Sequence, residues 1–85
     1  MSTLERLQAL LARDFGLDAG RLRPDATLES LDIDSLRLIE IVFSIEDEFA
    51  VTMPPDQAQI ASRVRTLGDL AGLVDELASQ AGTPP

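Results

Sequence analysis

The chain contains no cysteine, no histidine and no lysine. The absence of cysteine excludes disulfides, thiolate metal sites and a cysteine nucleophile, and the absence of histidine removes the usual neutral-pH base and zinc ligand. Without lysine there is no side-chain amine for Schiff-base chemistry, so carboxylates and hydroxyls are the remaining reactive groups. We therefore expect a protein that is not an enzyme, and we predict no metal site.

Long apolar runs are also absent. No stretch approaches the roughly 18 residues of a membrane span, and the segment Met1–Glu5 lacks the basic start and apolar stretch of a signal peptide. At 85 residues the chain is near the lower limit for independent folding, so we expect a single small domain. The expectations are a cytoplasmic monomer without membrane insertion, a domain over residues 1–80, and a tail over 81–85 that frays.

Negative charge is abundant and unevenly placed. The segment from Asp25 to Asp56 holds nine carboxylates and one cation, Arg37, so it accounts for the whole formal charge of −8. Such a concentration of charge attracts basic partners and repels nucleic acid. A solvated acidic face that only keeps the protein soluble would produce the same composition.

Apolar periodicity and capping residues predict helices. Ser2 and Glu5 have the spacing of a capping box, helical spacing continues to Phe15, and Gly16 provides a left-handed stop. Residues 16–34 lose the periodicity and predict a long loop anchored by single apolar side chains. After a connector that ends at Pro54-Pro55, Asp56 to Ile60 predict a short helix, and Thr66 with Asp69 opens a last helix.

The segment from Ser35 to Phe49 predicts the central helix. Projected at roughly 100° per residue, its polar residues occupy an arc of about 100° and its apolar residues an arc of some 220°. An apolar arc this wide predicts cover by several neighbours at once, with an acidic ridge left in water. The sequence therefore predicts an all-α fold, a small four-helix bundle of three main helices and one short helix, with a long loop between helices 1 and 2.

The dipeptide Asp34-Ser35 stands at the entrance of this helix. Asp34 can cap the free N–H groups, and the positive end of the helix dipole lies beside the Ser35 hydroxyl, where a phosphate ester would be accommodated. The alternative is that both residues are only good caps, because Asp-Ser-Leu is too short to be specific.

The surrounding residues extend the pattern. Asp34-Ser35-Leu36, Asp47-Glu48-Phe49, the connector Val51 to Pro54 and Thr66 occur in that order, and together they resemble the acyl carrier protein family over residues 3–78. The resemblance implies that Ser35 carries 4′-phosphopantetheine, transferred from coenzyme A by a phosphopantetheinyl transferase. The arm would hold acyl intermediates as thioesters and present them to biosynthetic enzymes, and its thiol would be the only one on the protein.

The same resemblance implies roles for neighbouring residues. Asp34 matches the motif aspartate and Leu36 the apolar residue that docks in modifying and partner enzymes. Acyl-transferring and ketosynthase-type enzymes with basic docking patches would recognise the acidic residues of the helix, and Arg37 and Leu38 would alter that surface. The acidic positions are Glu40, Glu46, Asp47 and Glu48. In similar proteins the helices part to shelter an acyl chain, but a fully packed core without a cavity would have the same sequence pattern.

Three residues depart from the family pattern. Asp32 stands where glycine is most common, Arg37 where an acidic residue is frequent, and Leu38 where a smaller or polar one is common. Arg37 and Leu38 favour a specialised carrier in a dedicated fatty acid, polyketide or lipid pathway over the housekeeping carrier of fatty acid synthesis. Two other interpretations are an aminoacyl or peptidyl carrier, which usually has a less acidic second helix, and an unmodified helical interaction module.

Overall fold

The computed structural model describes residues 2–53 and 57–81, and the secondary structure in these ranges is helical apart from one isolated β-bridge. The helices are α1 (Thr3–Phe15), α2 (Ser35–Phe49), α3 (Gln57–Arg63) and α4 (Leu67–Ala81), with a 3-10 helix at Ala19–Arg21. The predicted all-α class, with three main helices and one short helix, is confirmed. The predicted start of the short helix at Asp56, the proline pair at 54–55 and the tail residues 82–85 lie outside the described residues, while α4 continues through Ala81.

The predicted caps of α1 are confirmed. The Glu5 backbone N–H donates to the Ser2 hydroxyl at 3.1 Å, and the Ser2 N–H donates to the Glu5 carboxylate at 3.0 Å. The second of these bonds, with the Ser2 hydroxyl contributing, holds the pKa of Glu5 below its ordinary value. Gly16 ends the helix at φ 67°, a conformation that glycine adopts without steric strain.

The loop from Gly16 to Asp34 is held against the start of α4. The Leu28 N–H donates to the Arg65 carbonyl at 3.0 Å, the Leu67 N–H donates to the Ala26 carbonyl at 2.9 Å, and Thr27 and Thr66 form an isolated β-bridge. The Gly68 N–H donates to the carbonyl of residue 24 at 2.8 Å, and a Cβ at Gly68 would lie 3.0 Å from that oxygen. The loop therefore follows a defined path although it contains only the one 3-10 turn, which the sequence reasoning missed.

One apolar core joins the four helices and the loop. Its completely or almost completely buried side chains are Leu7, Leu10, Leu11, Leu22, Ile41, Ile45, Ile60, Leu67, Leu70 and Val74. Leu31 and Ile33 are also buried, and Leu17 and Leu28 pack against the core half-buried, so the predicted single anchors of the loop are confirmed. These contacts bring the chain to Ser35 along a fixed route.

The prediction that several neighbours cover the wide apolar arc of α2 is confirmed only in part, because Ile39, Val42 and Phe49 are half-buried but two residues of the arc are exposed. Leu38, Ile41 and Ile45 are its buried residues, whereas Leu36 is 67% exposed and Phe43 is 65% exposed. The two exposed side chains stand at the edge of the apolar arc, next to the acidic ridge. α1 and α4 pack against α2. Because a surface helix usually buries an apolar stripe of about 100°, these two neighbours do not reach the edge of the wider apolar arc of α2.

Both flanks of α2 contain a left-handed residue that is not glycine. Asp32 has φ 59° before the helix, and Ala50 has φ 55° directly after it. A Cβ in this conformation approaches the following carbonyl oxygen, which costs roughly 1–2 kcal/mol per residue. Aspartate tolerates the conformation better than alanine does, because its short polar side chain can bond locally.

We expect Ala50→Gly to stabilise the fold by about 0.5–1 kcal/mol, because glycine removes the steric strain at the end of α2 while adding some freedom to the unfolded chain. The measurement is the urea unfolding midpoint of the two proteins. Ala9→Gly is the matched control, since Ala9 is exposed in the middle of α1. At Ala9 the same substitution should destabilise the fold by about 0.5–1 kcal/mol. A change in the free energy of unfolding in the same direction at both sites would contradict the strain argument.

Candidate functional site

Ser35 is the first residue of α2, and Asp34 is its N-cap. The Asp34 carboxylate accepts the Arg37 N–H at 2.8 Å, and the Asp34 carbonyl accepts the Leu38 N–H at 2.8 Å. Ser35 is exposed, and within the described part of the chain its hydroxyl has no hydrogen-bond partner. Because Asp34 does the capping, the Ser35 hydroxyl is available for other chemistry at the positive end of the helix dipole.

The chain reaches Ser35 through a tight turn. The Asp32 N–H donates to the Glu29 carbonyl and the Ile33 N–H donates to the Leu28 carbonyl, both at 3.0 Å. Asp32 takes the left-handed conformation here, which explains physically why a glycine would suit this position. Ile33 turns into the core directly afterwards, so the turn presents Asp34 and Ser35 to solvent.

A cleft of about 670 Å³ opens beside Ser35. The turn before α2 and the start of α2 form one wall, and the connection between α3 and α4 forms the other. The apolar side chains lining it are Leu28, Ile33, Leu38 and Val64, and the polar or charged ones are Thr27, Glu29, Asp34, Ser35 and Arg65. The cleft opens to solvent next to the Ser35 hydroxyl.

The exposed face of α2 carries a stripe that alternates between apolar and acidic residues. Leu36, Glu40, Phe43 and Asp47 are all exposed, and a helix rotation of about 100° per residue places them within an arc of about 60°. We call these four residues the outer stripe. Among the described residues, Leu36 and Phe43 are the large hydrophobic side chains that remain exposed.

Three of the predicted acidic docking residues have partners within the chain: Glu40 pairs with Arg37 on its own helix at 3.9 Å, whereas Glu46 and Glu48 bond to residues outside α2. The Glu46 carboxylate accepts the Met53 N–H at 2.9 Å, and Glu48 pairs with Arg13 at 3.1 Å and with Arg6 at 3.9 Å. Arg6 also lies over the Phe49 ring, 4.4 Å from its centroid. The acidic surface that remains on α2 is therefore narrower than the charge count suggests.

The predicted partner contacts at Arg37 and Leu38 differ in outcome. Arg37 is exposed and lies 3.9 Å from the Glu40 carboxylate, on the flank of the outer stripe. Leu38 is only 7% exposed, because it belongs to the core and lines the cleft. Leu38 thus does not present its side chain to a partner, which corrects the sequence-based interpretation.

Sequence reasoning missed two residues of the site region. Phe43 belongs to the apolar arc that the sequence predicts to be covered, although its position at the edge of that arc indicates exposure. Arg65 lines the cleft but is distant from Ser35 in sequence, and no local pattern indicates that the two are neighbours. Their proximity depends on the hydrogen bonds between the loop and the α3–α4 connection.

Within the described residues, none of the helices combines the length and apolar character that a membrane span requires.

A family model described as "Phosphopantetheine attachment site" matches residues 5–74. The acyl carrier protein of Streptococcus pneumoniae (strain TIGR4) is 32% identical over 78 residues, which cover 92% of this chain and 99% of the relative. The acyl carrier protein of Streptococcus thermophilus is 30% identical over 76 residues, covering 89% and 96%.

The acyl carrier protein of Helicobacter hepaticus is 26% identical over 76 residues, covering 88% of this chain and 96% of the relative. The family model and these relatives match nearly the whole helical domain, and the range matched by the family model, residues 5–74, contains the exposed Ser35 at the start of α2. The chain therefore belongs to the acyl carrier protein family, whose members bear 4′-phosphopantetheine and act as carriers and not as enzymes.

Proposed function

We propose that Ser35 is the attachment point of 4′-phosphopantetheine and that the protein carries acyl intermediates as thioesters on this arm. The observation that carries the proposal is the free, exposed hydroxyl of Ser35 at the N-terminus of α2, beside an open cleft lined by both apolar and polar side chains. The residues fit the group: the helix end favours a phosphate ester, and nothing in the described residues engages the hydroxyl. When bound, the group supplies a terminal thiol that forms thioesters.

The attachment reaction balances without a redox partner. The Ser35 oxygen bonds to the phosphorus next to the pantetheine part of coenzyme A, the pyrophosphate bond breaks, and the nucleotide part leaves. The serine proton passes to a base, a role that we assign to the separate transferase. The role of the carrier is to present Ser35, and Asp34 keeps the helix entrance in place through its bonds to Arg37 and Leu38.

The experiment is to incubate the protein with coenzyme A, magnesium and a promiscuous phosphopantetheinyl transferase, and then to measure its mass. We expect a gain of one arm, and fragmentation should assign the gain to the peptide that contains Ser35. No gain in mass would favour the unmodified interaction module. A gain on another residue would keep the carrier function and overturn the assignment of Ser35.

The outer stripe is the surface we assign to partner enzymes, beside Arg37 and Ser35. Leu36 and Phe43 would enter apolar pockets of the partner, while Glu40 and Asp47 would meet basic residues. We do not assign direct contacts to Glu46 and Glu48, because their carboxylates bond within the chain. The acidic character of the stripe supports acyl cargo over aminoacyl or peptidyl cargo. That the protein is located in the cytoplasm and is a monomer remain predictions.

We further propose that the protein serves a dedicated pathway and not housekeeping fatty acid synthesis. The support is Arg37, an exposed cation in the first turn of α2, where the helix has no acidic residue. A partner with a purely basic docking patch would be repelled at this position, whereas a partner adapted to this carrier would place an acidic or neutral group there.

The loaded wild-type protein should be elongated by a housekeeping fatty acid ketosynthase less efficiently than that enzyme's usual carrier. Arg37→Asp should narrow the difference, mainly through KM, because a charge at the rim acts on association. The variant should fold well, since a carboxylate in the first turn of a helix is stabilising by about 0.3–1 kcal/mol. Arg63→Asp is the control, because it makes the same change of charge on α3. If the housekeeping ketosynthase elongates the wild-type protein as efficiently as its usual carrier, the proposal is overturned.

A further inference from the structure

Arg65 lies in the connection between α3 and α4 and lines the same cleft as Ser35. Its carbonyl accepts the Leu28 N–H at 3.0 Å, and its own N–H donates to the Asp69 carboxylate at 3.1 Å. The next residue, Thr66, pairs with Thr27 in the isolated β-bridge. The backbone of Arg65 is therefore held against the loop that forms the opposite wall of the cleft.

The side chain of Arg65 is engaged differently from those of the other arginines. Within residues 2–53 and 57–81, the Arg65 guanidinium is exposed and forms neither a hydrogen bond nor an ion pair, and the carboxylate that interacts with its charge is that of Asp69. The other six arginines each have a polar partner in that part of the chain, a carboxylate for five of them and the Ser30 carbonyl for Arg21. A cation whose backbone is fixed and whose guanidinium N–H groups are not hydrogen-bonded is available to bind an anion.

The charges around the cleft restrict which anion this is. Glu29 and Asp34 also line it, so Arg65 is the single cation among the lining residues that the structure describes. A phosphodiester at the Ser35 oxygen would bring a further negative charge close to these two carboxylates. Of the described lining residues, the guanidinium alone could offset that repulsion, and its planar donors suit phosphate oxygens.

We propose that Arg65 is a positioning residue for the phosphodiester of the prosthetic arm. It would hold the first part of the arm in the cleft between the start of α2 and the α3–α4 connection, against Leu28 and Val64. The inference rests on the proposed attachment at Ser35. It adds a positioning role for a residue that is distant from Ser35 in the sequence. Arg65 does not take part in the transfer reaction, so its role concerns the loaded protein.

The test uses the loaded protein, with loading first confirmed by mass. The signal of the Arg65 Nε–H group in nitrogen-15 spectra should move on conversion from the unloaded to the loaded form, and the signal of Arg63 should not. The phosphorus-31 signal should report faster local motion in Arg65→Gln than in wild type. Exposed ion pairs of this kind change the ratio of bound to unbound states by about two- to fivefold. The difference in local motion between Arg65→Gln and wild type should therefore be of that order, and it should shrink at high salt.

Arg63→Gln is the matched control, because it removes the same charge two residues away, from a side chain paired with Glu76. Arg65→Lys should restore part of the effect, since a cation remains while the planar donors are lost. Unchanged phosphorus relaxation in Arg65→Gln, or an equal change in Arg63→Gln, would overturn the role of Arg65. If all these variants are loaded with the arm, the carrier function stands even where the role of Arg65 is contradicted. The two proposals can therefore be contradicted independently of each other.

Discussion

Ser35→Ala is expected to abolish arm attachment completely while leaving the fold unchanged. Alanine has no oxygen to bond to phosphorus, so the transferase has no acceptor at the entrance of α2. The loss should not disturb folding, because the exposed Ser35 hydroxyl has no partner among the described residues and Asp34 provides the cap. The measurements are the mass after incubation with coenzyme A and transferase, and the melting temperature of the same samples.

Two controls separate attachment from helix formation. Ser44→Ala removes the other serine of α2, which is half-buried on the same helix, and this variant should still gain one arm. Asp34→Ala removes the cap and should cost about 1 kcal/mol of stability without removing the acceptor. A mass gain that persists in Ser35→Ala would show that another residue carries the arm.

Leu70→Ala is expected to have the largest effect on stability, a loss of about 2–5 kcal/mol, because it leaves a cavity in a packed core. Leu70 is fully buried on α4, which makes its most extensive helix contacts with α1. A small domain has a total stability of about 5–15 kcal/mol, so this variant should be close to unfolding at room temperature. Urea unfolding followed by circular dichroism measures the change.

Leu36→Ala is the matched control, since it is the same substitution at a side chain that is 67% exposed. It should change stability by no more than about 0.5 kcal/mol. The control also tests the outer stripe, because Leu36→Ala should weaken recognition by partner enzymes while leaving the protein folded. Similar losses of stability in both variants would contradict the assignment of Leu36 to the surface and Leu70 to the core.

Local chemistry explains which elements could be predicted from the sequence. The capping pairs Ser2 with Glu5 and Thr66 with Asp69 act through bonds between residues three apart, and the structure contains both. The Asp69 carboxylate accepts the N–H groups of Arg65 and Thr66, which lowers the pKa of Asp69. Such contacts depend on nearby residues alone, so a sequence pattern is sufficient to predict them.

The extent of cover on α2 could not be predicted in the same way. Helical periodicity separates an apolar arc from a polar one, but it does not say how many neighbours pack on the apolar arc. In the structure the neighbours cover Ile41 and Ile45 and leave Leu36 and Phe43 exposed. The same limit explains why Leu38 was assigned to a docking surface although it lies in the core.

By itself, the sequence determined the helical class, the anchors of the loop, the absence of thiol and imidazole chemistry, and the resemblance that drew attention to Ser35. The tertiary structure alone decided which part of α2 faces solvent, which carboxylates are engaged by Arg13 and Met53, and that Arg65 stands at the cleft beside Ser35. The physical reason is distance along the chain. Residues close in sequence interact through local geometry, whereas Ser35 and Arg65 become neighbours only when the loop and the α3–α4 connection bind each other.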